Sequence, residues 1–137
     1  MTFEQGSRTK VVLDTNIVVS ALLTCEGNPA AIFDLFLLGK LVLVYSDDIM
    51  AEYVNVLYRP RLRISVNEIG TALSAIRQHG RKTKPAISTE FMLDSDDRPF
   101  YDAAVSAGAY LITGNAKHFP VAPFIVSPAR FIELRRE

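Results

Sequence analysis

A single cysteine, Cys25, stands in this 137-residue chain, so no internal disulfide forms and a reducing compartment is expected. Cys25 has no histidine or basic residue beside it, and reads as a small residue at a helix end rather than a nucleophile. The two histidines, His79 and His118, have no serine or cysteine partner in a recognisable motif and read as surface or packing residues. Neither sign of charge is in excess: 15 Lys and Arg balance 15 Asp and Glu. That excludes a protein that coats nucleic acid by charge alone, but not an enzyme with one local basic edge. Basic stretches suited to such an edge are Arg59-Pro60-Arg61-Leu62-Arg63, residues 77–84 and Lys117-His118, although a charge run is usually a solvated face. The longest apolar-rich runs, 17–23 and 41–45, are too short to span a bilayer, and no secretory apolar segment follows a basic start. A cytoplasmic protein without a membrane partner is expected. There is no GxxxxGK phosphate loop, internal repeat or low-complexity stretch.

What is present is a globular composition, 49% hydrophobic and 22% charged, with length for one domain. Residues 1–8 read as a loose, flexible polar end and 9–137 as the domain. Residues 10–13 form a buried strand, and a helix follows from Asn16 to about Thr24. Asn28-Pro29 gives an N-cap and first-turn proline for a second helix, whose apolar face is Ala31, Ile32, Leu35, Phe36 and Leu38. Phe33, Phe36 and Leu37 extend beyond a simple stripe, as a partner surface or a buried core would require. Residues 41–45 are apolar without alternation, the pattern of a strand covered on both faces. Ser46 caps the next helix, which Pro60 ends, and Ser65-Val66-Asn67-Glu68 opens another with a capping box. A weaker strand is expected near 85–88, a helix from about Ser95 to Gly108, and strands at 110–113 and 124–126. Ser127-Pro128 then opens the last helix. Strands alternate with helices throughout, which predicts a three-layer α/β domain with a parallel sheet of about five strands.

Four polar positions converge on one end of that sheet. Asp14-Thr15-Asn16 ends the first strand abruptly, where open parallel sheets place ligands; a helix N-cap accounts for one of the three residues but not for all. In the helix after Ser46, Ile49, Tyr53 and Val56 form the apolar stripe and Glu52 lies at its edge, where a carboxylate needs a partner. In the helix after Ser95, Phe100, Ala103, Ala104 and Ala107 face inward and Asp97 lies next to them. Asp102 falls opposite, in solvent, spaced for a surface pair with Arg98. Asp96 either caps or faces inward, and Asp94 belongs to the preceding loop. Thr113-Gly114-Asn115 ends a later strand as Asp14 ends the first, though a tight turn alone explains it. Carboxylates gathered without matching bases repel one another, and a hard divalent cation resolves that. Oxygen donors without cysteine or histidine select Mg²⁺ or Mn²⁺, which can activate water and neutralise a phosphodiester.

These segments are similar to those of the PIN-domain family: Leu13-Asp14-Thr15-Asn16, Glu52 at the end of Ser46-Asp47-Asp48-Ile49-Met50-Ala51-Glu52, Asp94-Ser95-Asp96-Asp97-Arg98-Pro99-Phe100, and Leu111-Ile112-Thr113-Gly114-Asn115. The branch resembled is that of VapC-type toxins of toxin–antitoxin pairs. The resemblance implies a Mg²⁺- or Mn²⁺-dependent endoribonuclease. Asp14, Glu52 and Asp97 would be the metal ligands, with Asn115 at the fourth catalytic position. Thr15, Asn16, Asp96 and Thr113 would support them. It also implies an RNA substrate, an antitoxin protein and a homodimer. The family often carries an acid where this chain has Asn115, so one well-held ion is expected, with a second recruited by substrate. Two rival readings are a PIN-like module that binds RNA or protein without cutting, and a receiver-type signalling domain. The latter lacks an acid ending the expected strand at 85–88.

Overall fold

The apolar run at the head of the chain becomes β1 (Thr9–Leu13), and Val11, Val12 and Leu13 are wholly buried in the computed structural model. The structure describes residues 8–88 and 94–136. The expected loose end thus lies outside the described residues except for Arg8, whose guanidinium donates to the Gly39 carbonyl at 3.1 Å. After β1 come α1 (Thr15–Leu23), α2 (Asn28–Leu37), β2 (Leu41–Tyr45), α3 (Asp47–Leu57), α4 (Val66–His79) and β3 (Arg81–Lys82). Then follow α5 (Arg98–Ala107), β4 (Tyr110–Ile112), β5 (Ile125–Val126) and α6 (Pro128–Arg136). All strand pairs are parallel, in the order β3-β2-β1-β4-β5. Every residue of β2 is buried, as its unbroken apolar run requires. The chain steps outward from β1 to β2 to β3, then crosses to β4 on the far side of β1. Strand order therefore reverses between β1 and β4, the place where such sheets open a crevice at their carboxyl ends.

Helix starts follow local chemistry. The hydroxyls of Ser46, Ser65 and Ser127 accept from the N–H of Ile49 (3.2 Å), Glu68 (3.1 Å) and Arg130 (3.0 Å). Each bond satisfies a donor that the first helical turn leaves without an intrahelical acceptor. For α2 the cap is Gly27, not Asn28: its φ of 101° turns the chain in a way glycine tolerates, and Asn28 already belongs to the helix. The buried face of α2 is Ala30, Ile32, Phe33 and Phe36, one position round from the expected stripe. Leu38 lies past the helix end and is 70% exposed, and Leu37 is 54% exposed. Among the described residues no single helix is long and apolar enough to cross a membrane.

Two expectations are corrected. The third strand is at Arg81–Lys82, pairing with Val44 and Tyr45, and not at 85–88. Pairing begins as soon as α4 ends, because Gly80 lets the chain pass against β2. Both strand residues are exposed at a sheet edge, where charge suits solvent better than apolarity does. Lys82 Nζ lies 2.8 Å from the Asp47 carboxylate. Residues 85–88 instead cross α5: the Ala86 N–H donates to Ser106 Oγ (3.2 Å) and the Ser88 N–H to Asp102 Oδ1 (3.1 Å). Arg98 donates to both the carbonyl and the hydroxyl of Ser88 at 2.7 Å. That crossing covers the outer side of α5, so Asp102 is buried, 4% exposed, rather than in solvent.

Candidate functional site

At the reversal point β1 runs straight into α1, and Asp14 is the residue between them. Its N–H donates to the Ile112 carbonyl of β4 at 3.0 Å, which fixes it to the neighbouring strand. Its carboxylate is shared out. Oδ1 caps α1 by accepting the Thr15 N–H at 2.8 Å, and Oδ2 accepts the Thr113 hydroxyl at 2.7 Å. The Thr113 hydroxyl, 1% exposed, in turn accepts the Asn115 N–H at 3.0 Å. So the polar residues ending β1 and β4 form one connected set, and the N-cap is one half of what Asp14 does.

The other acids come from separate elements. Glu52 stands part-buried on α3, beside Tyr53, whose phenol donates to the Leu13 carbonyl one residue before Asp14. Burial, and then the Asp14 charge, hold the Tyr53 hydroxyl above its ordinary pKa, so it remains a donor. Asp97 ends a 3-10 turn, Ser95–Asp97, that leads into α5; Asp94 caps that turn by accepting the Asp96 N–H at 2.9 Å. Asp14, Thr15, Asn16, Glu52, Asp94, Asp96, Asp97 and Asn115 line one cleft of about 330 Å³. Thr113 lies behind it, holding Asp14.

Asp97 differs from Asp14 in its surroundings. Burial raises its pKa, the charges of Asp14, Asp94 and Asp96 raise it further, and His118 opposes them. His118 Nδ1 lies 3.6 Å from Asp97 Oδ2, an electrostatic contact too long for a hydrogen bond. Asp97 Oδ2 and the Thr15 hydroxyl are buried and have no hydrogen-bond partner among the described residues. His118 is a cleft residue; the sequence marked it as a surface or packing residue, or with Lys117 as part of a basic edge, and not as a neighbour of Asp97. It sits in a 3-10 turn, Ala116–His118, directly after Asn115, and the short spacing from Thr113-Gly114-Asn115 was its one signal.

The donor set, carboxylates with a hydroxyl and two amides, suits a hard cation, and Asp97 Oδ2, without a hydrogen bond among the described residues, is the atom such an ion would satisfy. Among the described residues no three His, Cys, Asp or Glu side chains are gathered closely enough to enclose an ion by themselves. An ion held here would keep part of its water shell, as Mg²⁺ commonly does. A larger and mainly apolar groove, about 430 Å³ between α1, α2 and α4, is lined by residues such as Leu22, Phe33, Leu37 and Ala72. Its acids are Asp34 and Glu68, against five in the cleft.

A parallel α/β sheet whose switch point opens into a cleft lined by acids from β1, α3, the turn before α5 and the loop after β4 defines a class of small three-layer domain. Residues 10–117 match the family described as PIN domain. The protein MJ1680 of Methanocaldococcus jannaschii is 33% identical over 109 residues, 77% of this chain and 70% of that protein. The chain belongs to the PIN-domain family. Two solved structures share its fold. VapBC2 from Rickettsia felis, bound to a DNA fragment from their promoter, matches with a TM-score of 0.57 and 17% identity over 87% of this chain and 97% of that one. PAE2754 from Pyrobaculum aerophilum matches with a TM-score of 0.60 and 15% identity over 97% of this chain and 94% of that one.

Proposed function

We propose that the protein is a Mg²⁺- or Mn²⁺-dependent endoribonuclease, the toxin of a toxin–antitoxin pair, acting as a cytoplasmic homodimer. The observation that carries the enzymatic reading is the cleft itself. It gathers Asp14, Glu52 and Asp97 from three separate elements and leaves Asp97 with a buried oxygen that accepts no hydrogen bond among the described residues. The fold shared with VapBC2 supports an antitoxin partner.

In this reading Asp14, Glu52 and Asp97 are the metal ligands. When bound, a divalent ion supplies charge neutralisation at the phosphodiester and a more acidic water. Thr113 and the Thr15 N–H hold the Asp14 carboxylate in one orientation. Asn115 offers an amide oxygen without charge, so the cleft favours one ion over two. Asp96 and Asn16 stand at the rim, and the Thr15 hydroxyl is buried beside the cleft without a hydrogen bond among the described residues. A rival reading is a PIN-like module that binds RNA or protein without cleaving. It is favoured by Asn115 and by the lack, among the described residues, of a close three-ligand group.

The test compares wild type with Asp14→Asn and Asp97→Asn on mixed RNA in Mg²⁺, in Mn²⁺ and in EDTA. Cleavage by wild type that vanishes in both variants and in EDTA supports the nuclease. RNA binding without cleavage under every condition supports the binding module.

A further inference from the structure

The cleft faces an electrostatic problem that its carboxylates cannot solve. Five of them line it, and an RNA strand brings more negative charge. Apart from His118, the basic side chains in its lining are Arg59 and Arg61. Both sit on one short segment. The chain leaves α3 after Glu52 and Val56, which also line the cleft, and folds into a 3-10 turn, Pro60–Leu62. Backbone bonds hold that turn: the Arg59 N–H to Val56 O (3.1 Å), the Leu62 N–H to Arg59 O (3.0 Å) and the Arg63 N–H to Pro60 O (3.1 Å). Pro60 fixes the backbone between the two arginines, and Leu62 packs against the core. Both guanidiniums are exposed, and among the described residues neither takes part in an ion pair. Two cations without partners, held by a stiff turn at the lip of an acidic cleft, are placed to meet an anion that the acids would otherwise repel.

We infer that Arg59 and Arg61 form a phosphate-binding lip that grips the backbone of a single-stranded RNA on one side of the bond to be cut. The inference rests on the nuclease reading for the identity of the polyanion, but the grip needs neither metal nor catalysis. It is a positioning element: it sets where the strand lies and does not touch the reacting atoms. A guanidinium suits this task, because its fork of donors matches two phosphate oxygens.

The experiment measures binding of a fluorescent single-stranded RNA by anisotropy, in EDTA, across a series of NaCl concentrations. Each phosphate contact to a single strand contributes a slope of about −0.7 in log affinity against log salt. The double variant Arg59→Ala/Arg61→Ala is therefore expected to flatten the slope by about 1.4. At low salt it should lose affinity on the order of tenfold per arginine. Arg61→Lys should keep the slope, since the charge remains. Lys40→Ala, exposed just before the amino end of β2 and so at the opposite end of the sheet from the cleft, should match wild type. A double variant with the wild-type slope overturns the inference, as does a wild type that binds no RNA at low salt. Because the readout is binding without metal, a flattened slope in a protein that never cleaves would remove the nuclease reading and leave the lip standing. Cleavage with an unaltered slope would do the reverse.

Discussion

Replacing Thr113 with valine tests whether the end of β4 holds the end of β1. The substitution keeps the shape and removes one hydroxyl that is 1% exposed. That hydroxyl donates to the Asp14 carboxylate at 2.7 Å and accepts the Asn115 N–H at 3.0 Å. A hydrogen bond to a charged group contributes about 1.5–3 kcal/mol and a neutral one about 1 kcal/mol. Some of this returns, because valine carries no polar group into a buried position. The expected net loss is about 2–3 kcal/mol, a urea midpoint lower by roughly 1–2 M with an unchanged slope. Thr113→Ser keeps both bonds and loses one methyl group, about 1 kcal/mol. If Asp14 is a metal ligand, Mn²⁺ affinity should fall about 10- to 100-fold in the valine variant, because the group that orients the ligand is gone. A valine variant within about 0.5 kcal/mol of wild type, or no less stable than the serine variant, refutes the coupling.

Asp97 has a raised pKa, so the folded protein holds its proton at a pH where the unfolded chain has released it. Its contribution to stability is then present below the ordinary carboxylate pKa and is lost as pH rises through the raised value. Metal-free Asp97→Asn should melt above wild type near neutral pH, by a margin that shrinks on acidification; a margin independent of pH would contradict this. Gly80→Ala would drive a Cβ into Ile76 O and set it 2.9 Å from Leu43 O, both backbone atoms, and should cost about 1–3 kcal/mol or more. Gly70→Ala, with open space around its position in α4, should instead gain about 0.5–1 kcal/mol, and thermal melts that rank the two the other way would refute the packing argument. Asp102→Ala leaves the Ser88 N–H without its acceptor, so that amide should exchange faster with solvent. Unchanged exchange at Ser88 would show that the crossing over α5 is held by other contacts.

The sequence was legible where structure depends on neighbours along the chain. The serine caps, the wholly apolar β2 and the abrupt polar ends of β1 and β4 are local patterns, and the hydroxyls of Ser46, Ser65 and Ser127 all cap their helices. Gly27 displaced Asn28 because a positive φ, which composition does not reveal, moved the start of α2 by one residue. The misses share a cause of longer range. The position of β3 depends on how closely Gly80 can pass the carbonyl of Leu43, not on apolarity. Helical arithmetic put Asp102 in solvent because it counts one helix at a time, whereas residues 85–88 cover that side. His118 lies in a 3-10 turn, where no periodicity marks which side chain folds back toward Asp97.

The two central acids of the cleft are held in opposite ways, and this asymmetry follows from where they sit in the fold. Asp14 joins a buried strand to a helix N-terminus, so a backbone and a side-chain donor already hold its two carboxylate oxygens. Asp97 sits at the end of a 3-10 turn, its Oδ2 without a hydrogen bond among the described residues, close to three other carboxylates, and its charge is opposed. Folding therefore fixes the position of one carboxylate and strains the charge of the other. A cation binding between them would gain from both circumstances: a ligand already oriented at Asp14, and a repulsion relieved at Asp97. Binding energy of that kind comes from the fold's own unfavourable electrostatics, which is why a cleft with an uncharged Asn115 retains a physical reason to hold one ion.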